Sequence, residues 1–224
     1  MHKTYKWFKK LGPYEGIFRF MVMLLAVHFF WKYTVIGEEE GVELHWMGLN
    51  IAPPFLYWSQ VLTHLCASTL DLLGVQTKVI DTTILFTNQH ALRIVWGCNG
   101  FKQSFIFFTI ILASRGPWKM RSLYAVFCVL CAQIINYLRI LFLCYIVYQH
   151  REYFDLFHGY ITKYLFYFLF FLLWVYWDER LVPYFALKKE GYSTKEAKSK
   201  LKQTRQEKRR VKESPVKDST LDKE

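Results

Sequence analysis

Two side chains of this sequence could together perform nucleophilic catalysis. Cys98 lies in the motif Gly97-Cys98-Asn99-Gly100, directly before an apolar run that predicts a helix. Glycines allow close backbone approach, and unpaired amide groups at a helix start can stabilise a thiolate or an oxyanion. His158 could accept the thiol proton and later protonate a leaving amine. For each residue taken alone packing is the simpler explanation, so the hypothesis requires the two to meet.

A third residue, Arg139, is unusual because it lies inside a long apolar run. A guanidinium within a membrane helix is costly, so Arg139 should face a polar cavity. Gln133 and Asn136 precede it at three-residue spacing, which puts the three side chains along roughly one helical face. That face could line a polar pocket beneath Cys98 and His158. The alternative is a packing network in which the amides bond between helices and Arg139 snorkels to the interface.

The composition indicates a membrane protein with a polar tail. Of 224 residues, 53% are hydrophobic and 19% aromatic, yet the net charge is +11. Soluble domains seldom combine these properties. A bilayer core requires roughly 20 helical residues, and four apolar runs approach that length: 17–36, 100–114, 122–148 and 159–177. A fifth segment, 54–74, is more polar and could span, re-enter or lie on the membrane.

Basic residues orient these spans, because short cytoplasmic loops are enriched in Lys and Arg. They concentrate in the N-terminal segment, in the connection at 115–121 and in the tail. With all three inside, an even number of crossings precedes residue 115, so segment 54–74 should lie on or dip into the outer face. Residues 75–97 are rich in Val, Ile, Thr and Phe, which predicts a small outside β-hairpin with a turn at Asn88-Gln89. Cys98 and His158 then fall at the outer ends of two spans.

The predicted fold class is an all-α integral membrane protein. It has about four transmembrane helices, one interfacial or re-entrant helix and a small extracytoplasmic β-hairpin. We divide the chain into a basic cytoplasmic segment (1–16), a membrane-embedded domain with the site residues (17–180) and a basic cytoplasmic tail (187–224). The tail has 13 Lys or Arg against 7 Asp or Glu and is predicted to be solvated and either disordered or a frayed helix. No nucleic-acid-binding motif accompanies it, so the expected partner is the lipid bilayer and not a nucleic acid.

The sequence resembles the exosortase/archaeosortase family of membrane cysteine transpeptidases and proteases. Three motifs carry the resemblance, each abutting an apolar helix: Gly97-Cys98-Asn99-Gly100, Asn136-Tyr137-Leu138-Arg139 and Phe157-His158-Gly159. Their order, the membrane setting and the spacing of 41 residues from Cys98 to Arg139 and 19 from Arg139 to His158 are jointly specific. The family-like core covers residues 72–177.

The resemblance implies a function for each site residue. Cys98 would be the nucleophile that forms a thioester, His158 the acid and base, and Arg139 the group that orients the substrate carbonyl or stabilises its oxyanion. Apart from the resemblance, we also expect three amide side chains to bind substrate: Gln133, Asn136 and Asn99. The expected partners are an exported protein with a C-terminal sorting signal and a transmembrane helix, and an unknown amine acceptor. No cofactor or metal is expected, and the site would lie on the extracytoplasmic side of the cell (inner) membrane.

Three alternatives stay open from the residues alone. The pair Cys128 and Cys131 has the spacing of a thiol oxidoreductase, although it lies in the inner half of a span with no obvious aqueous face. A metal site could use Cys98, His158 and His90, although no HExxH motif or paired Cys spacing supports it. The polar residues of the 122–148 run could also serve a non-enzymatic scaffold or transporter subunit, but no internal repeat favours a secondary transporter.

Overall fold

The computed structural model describes residues 15–37 and 43–213, and its chain contacts form two units. The larger unit consists of residues up to 114 together with 118–174. The smaller unit consists of 115–117 and the residues from 175 onward. All of the predicted site residues lie in the larger unit.

Helices dominate the described part of the larger unit. They are α1 (Glu15–Thr34), α2 (Ala52–Leu72), α3 (Phe101–Ala113), α4 (Trp118–Gln149), the single turn α5 (Phe154–Leu156) and α6 (Thr162–Tyr176). Across the residues that the structure describes in both units, three helical stretches are long and apolar enough to cross a membrane: Glu15–Thr34, Trp118–Gln149 and Arg151–Lys189. They mark a membrane protein, as the composition predicts. The remaining predicted span, 100–114, corresponds to the shorter helix α3, so the number of crossings stays a prediction.

Aromatic rings hold α1, α3 and α6 side by side. Ring pairs among the described residues include three with centroids 4.8, 4.6 and 5.0 Å apart: Phe20 with Trp174, Phe107 with Phe170, and Trp31 with Phe105. Phe20 is near the start of α1 and Trp174 is near the end of α6, so these helices run antiparallel. The C-terminal end of α1 therefore lies beside the N-terminal ends of α3 and α6.

Helices α3 and α4 form a hairpin. The guanidinium of Arg121 donates to the carbonyl oxygens of Leu112 (2.8 Å) and Ser114 (2.7 Å). Those carbonyls lie at the end of α3, where no helical amide can reach them. Because α4 has 32 residues and α3 has 13, the second half of α4 extends past the start of α3.

That second half of α4 is covered by α2 and a small antiparallel sheet. The strands are β4 (Thr77–Ile80), β5 (Thr83–Phe86) and β6 (Ala91–Arg93), paired in that order. One buried apolar cluster joins the helices to the sheet: Leu62, Cys66, Leu70, Ile84, Phe86, Leu92, Ile94, Ile140, Cys144 and Val147. Burial of this surface fixes the segment that leads the chain to Cys98.

The β-structure is more extensive than the predicted single hairpin. The turn at Asn88-Gln89 connects β5 and β6, as predicted, but a second turn at Asp81 adds β4. Asp81 and Gln89 have φ of 53° and 67°, the left-handed region typical of tight turns. A separate three-stranded sheet precedes α2, with β1 (Val35–Gly37), β2 (Leu44–Trp46) and β3 (Leu49–Asn50). Its strands of two or three residues are too short to show the alternation that predicts a strand.

In the smaller unit the described part of the tail is largely helical, so of the two predicted forms, disordered or frayed-helical, the structure shows the helical one. It contains α7 (Val182–Lys189) and α8 (Thr194–Glu213). The amide of Ser193 donates to Oε2 of Glu196 (2.9 Å), and the amide of Glu196 donates to Oγ of Ser193 (3.3 Å). This reciprocal cap, followed by residues of high helix propensity, favours a helix without an apolar core. The high charge excludes a buried core but not a helix. Residues 1–14, 38–42 and 214–224 lie outside the described part, including most of the predicted N-terminal segment.

Candidate active site

Cys98 lies at the end of a tight turn that leads into α3. Residues Trp96–Cys98 form one turn of 3₁₀ helix, and Gly100 then takes the left-handed conformation with φ of 85° before α3 begins at Phe101. A Cβ on Gly100 would lie 3.1 Å from the side-chain amide of Asn136. Glycine is therefore required here both by backbone conformation and by the close approach of α4.

Three buried or half-buried amides connect the elements around this turn. Nδ2 of Asn136 donates to the carbonyl oxygen of Cys98 at 3.0 Å. Asn99 is fully buried; its Nδ2 donates to the carbonyl of Phe55 at 3.1 Å and its Oδ1 accepts from the amide of Phe101 at 3.1 Å. These bonds tie the Cys98 turn to α2, α3 and α4.

Gln133 makes the third of these connections. Its Oε1 accepts from the indole of Trp58 at 3.0 Å, and its Nε2 donates to Oγ of Ser104 at 2.8 Å. The side chain thus bridges α2 and α3 from its place on α4. Gln133 and Asn136 do share a face, as their spacing predicts, but each contacts protein groups. Their predicted contact with substrate stays a prediction.

The thiol of Cys98 meets the imidazole of His158. The distance from Sγ to Nε2 is 3.2 Å across 60 residues of sequence, within hydrogen-bonding range for sulfur. His158 lies on a π-helical turn, Phe157–Ile161, between α5 and α6. Its ring stacks on Phe154 with centroids 5.1 Å apart and planes 9° apart. The stacking fixes the plane of the imidazole and so aims Nε2 at the thiol.

Arg139 lies one helical turn beyond Asn136 on α4 and faces α6. Its Nε donates to Oγ1 of Thr162 at 3.0 Å, and Thr162 donates to the carbonyl of Phe157 at 2.8 Å. Its guanidinium also interacts electrostatically with Cys98. Within residues 15–37 and 43–213, its terminal Nη atoms donate to no protein acceptor. Arg139 is therefore oriented by Thr162 while its outer face is left for another ligand.

The space beside Arg139 is a cavity of about 370 Å³ between α4 and α6. Apart from Arg139 and Thr162, its walls are apolar: Ile135, Leu138, Phe142, Phe157, Ile161, Leu165, Phe166 and Leu169. A single cation in an apolar wall suits a ligand that combines an apolar body with a polar or anionic group.

The sequence match agrees with this geometry. A sequence model of the transmembrane exosortase family (Exosortase_EpsH) matches residues 17–175, well over half of the chain. The chain belongs to the transmembrane exosortase family. The match begins earlier than the predicted family-like core at 72–177 and includes Cys98, Arg139 and His158. No curated protein and no solved structure matches the chain significantly.

Two of the alternative hypotheses depend on residues outside the Cys98–His158 pair: the redox hypothesis on Cys128 and Cys131, and the metal hypothesis on His90. All five cysteines are free, and Cys128 is fully buried in α4. His90 lies at the turn between β5 and β6, where its Nδ1 is 2.8 Å from the carbonyl of Val147. Within residues 15–37 and 43–213, no three His, Cys, Asp or Glu side chains are placed to hold a metal ion.

Two residues that orient the site were not identified from the sequence. Phe154 is one of 20 phenylalanines, and Thr162 lies four residues after His158. Phe154 and His158 are also four residues apart, a spacing that brings side chains together on a helix. That spacing was the available signal, but the sequence predicts a helix start at 159 and so leaves Phe154 in a loop.

Proposed function

We propose that this exosortase family protein is a membrane cysteine transpeptidase or protease that cleaves the C-terminal sorting signal of exported proteins. The observation that carries the proposal is the 3.2 Å distance from Cys98 Sγ to His158 Nε2. Two weak sequence motifs meet at hydrogen-bonding distance, with Arg139 nearby. A nucleophile bonded to a base that a third group orients is the usual arrangement of a covalent catalyst.

In the first half of the reaction, His158 Nε2 takes the thiol proton and the thiolate of Cys98 attacks a peptide carbonyl carbon of the substrate. The new C–S bond forms as the carbonyl π electrons move to oxygen, giving a tetrahedral oxyanion. When that intermediate collapses, the C–N bond breaks and His158 returns its proton to the leaving amine. The products are a thioester on Cys98 and the released C-terminal segment.

Arg139 is the proposed donor to the oxyanion. The amides of Cys98 and Asn99 donate to the carbonyls of Val95 (2.9 Å) and Trp96 (3.4 Å), so the turn itself supplies fewer donors than a helix start normally offers. The outer nitrogens of Arg139 are still available, and a planar guanidinium can donate two parallel hydrogen bonds. A preorganised cation in a half-buried site stabilises developing negative charge strongly.

In the second half of the reaction, an amine or water attacks the thioester carbonyl. His158 takes a proton from this nucleophile, the C–S bond breaks, and the Cys98 thiolate is reprotonated by His158. An amine acceptor gives transfer and water gives hydrolysis. The proposed substrate is an exported protein whose sorting signal is followed by a transmembrane helix and a basic terminus. The proposed location is the cell (inner) membrane, with the site on the extracytoplasmic side.

A processing experiment tests the proposal. The probe is an exported protein encoded in the same genome that ends in a short motif, an apolar helix and Lys or Arg. Cys98→Ser preserves the shape of the site but removes the thiolate, so uncleaved probe should accumulate on an immunoblot at matched enzyme levels. Cys131→Ser in α4 is the matched control and should process the probe normally. Normal cleavage by Cys98→Ser, with failure of the Cys131 variant, would move the redox alternative ahead.

A further inference from the structure

Three lysines on three different helices gather at the end of the larger unit that holds Cys98 and His158. Lys32 is near the C-terminal end of α1, Lys102 is in the first turn of α3, and Lys163 is in the first turn of α6. The ring contacts between these helices place the three ends together. Lys102 comes four residues after Cys98, and Lys163 comes five residues after His158.

The charges of these residues act directly on one another. Lys102 interacts electrostatically with Lys163 and Lys32, and all three lysines interact with the ring of His28 on α1. In the described part of the chain, no carboxylate is among the groups that act on Lys102 or His28. Four basic groups thus face a common region, which is unfavourable unless an anion is present.

Two features increase the cost of this arrangement. Lys102 is half-buried, and it lies in the first turn of α3, where the positive end of the helix dipole disfavours a cation. In the proposed topology this end is outside, where the loops of membrane proteins are poor in Lys. Both the helix dipole and the scarcity of Lys in outside loops disfavour lysine at this place. The positive-inside rule therefore does not explain the cluster, and another cause is required.

We propose that Lys32, Lys102, Lys163 and His28 bind the phosphate of an anionic membrane phospholipid beside the catalytic pair. The occupant is a lipid because the cluster is cationic and because Lys32 lies in the last turn of α1, a helix long and apolar enough to cross a membrane. Lys32 and Lys163 are exposed and Lys102 is half-buried, so a headgroup can reach the site from the surrounding leaflet. Bound there, the headgroup neutralises the cluster and forms part of the rim of the active site.

Native mass spectrometry of the full-length protein in detergent tests this site. The protein is titrated with phosphatidylglycerol, with zwitterionic phosphatidylcholine as the reference lipid. Each Lys→Gln change at 32, 102 or 163 should weaken phosphatidylglycerol binding roughly fivefold, and the triple variant about a hundredfold. Lys119→Gln, on an exposed lysine at the start of α4, is the matched control and should change binding less than about twofold. The Cys98→Ser variant should bind the lipid like the parent, so this result is independent of the proposed catalysis.

Further arms identify the source of the anion. Equal binding by the triple variant and the parent overturns the proposal. Displacement of the lipid by millimolar inorganic phosphate would assign the cluster to a free anion instead. Tighter lipid binding after Glu38, Glu39 and Glu40 are replaced by Gln would assign it to carboxylates of the chain. If the triple variant binds lipid normally but raises KM for the processing probe, the cluster binds an acidic part of the peptide.

Discussion

The reactivity of Cys98 should depend on the imidazole that lies 3.2 Å from its sulfur. In a variant with Cys98 as the sole cysteine, a thiolate–imidazolium pair should react with iodoacetamide at neutral pH or below. An ordinary cysteine thiol has a pKa of about 8.5, so His158→Ala should shift the pH dependence of the alkylation rate to higher pH. The measurement is alkylation rate against pH by intact mass. Superimposable profiles for the two proteins would show that His158 does not act on the thiol.

Cys66 provides an internal contrast for this experiment. It is fully buried in α2, and burial raises the pKa of its thiol to about 12. A variant with Cys66 as the sole cysteine should therefore stay unmodified under conditions that alkylate Cys98. Rapid modification of Cys66 would mean that the apolar cluster opens readily and that accessibility alone explains the labelling.

Asn136 should act as a positioning residue for Cys98. Its Nδ2 holds the carbonyl oxygen of Cys98 at 3.0 Å, and its side chain is fully buried. Asn136→Ala leaves that carbonyl without its partner, which costs about 1–3 kcal/mol of stability. We expect a lower Tm and a kcat reduced about tenfold with KM little changed, because substrate contacts are kept. A raised KM with normal Tm and kcat would instead support the predicted contact with substrate.

For individual residues, the sequence was sufficient to identify the candidate reactive side chains but not the groups that they contact. Cys98, Arg139 and His158 are recognisable because each is chemically out of place at an end or inside an apolar run. Gln133 and Asn136 were recognisable as polar residues on one face. What their amides bind depends on Trp58, Ser104 and the Cys98 carbonyl, which the chain brings there from other elements. Spacing within one helix carries no information on those partners.

Among the elements, the turn before α3 should be the most sensitive to small changes. Gly100 has φ of 85° and lies against Asn136, whereas a Cβ on Gly97 would meet nothing within 4 Å. Gly100→Ala costs about 1–2 kcal/mol for the left-handed backbone alone, and the contact with Asn136 adds to this. We expect Gly100→Ala to lower Tm and to slow processing of the probe strongly.

Gly97→Ala is the matched control for that experiment, since it adds the same methyl group one residue before Cys98. It should leave Tm and the processing rate close to those of the parent. If the two alanine variants lose activity equally, the turn has no special requirement at Gly100, and the motif would matter for flexibility instead.

The elements divide into those with a strong sequence period and those without. The long helices α1, α4 and α6 were predictable, because an apolar run of about 20 residues has few other structures available. The first sheet was not, since its strands of two or three residues show no period. The π-helical turn at Phe157–Ile161 was also missed, although it presents His158. Such a turn adds a residue to one turn of a helix, and no residue pattern in this segment predicts it.

For the larger unit as a whole, the contact between Cys98 and His158 requires both residues to lie on the same side of the membrane. At 1.5 Å per residue, α3 is about 20 Å long and α4 about 48 Å. The hydrocarbon core of a bilayer is about 30 Å thick, so α3 is shorter than the core and α4 is longer. The bond from Asn136 to the Cys98 carbonyl fixes the register of the two helices. The part of α4 beyond Asn136 therefore lies past the level of Cys98, under the cover of α2 and β4–β6, which are less apolar than the spans.

This arrangement, together with the basic connection at 115–121 and the basic tail, predicts which segments face outside. In a cysteine-free background, Thr87→Cys reports on the exposed turn before β6, and Ser199→Cys reports on an exposed position of α8. An impermeant maleimide added to intact cells should label Thr87→Cys and leave Ser199→Cys unlabelled until the membrane is permeabilised, because short basic segments stay inside.

Permeabilised cells, in which both variants must react, control for expression and for local reactivity. Equal labelling in intact cells would place both positions on one side, which requires an even number of crossings between them and contradicts the three crossings that the four-span prediction places there. Labelling of Ser199→Cys alone would invert the orientation and move the catalytic pair to the cytoplasmic side, where an exported substrate could meet it only before translocation.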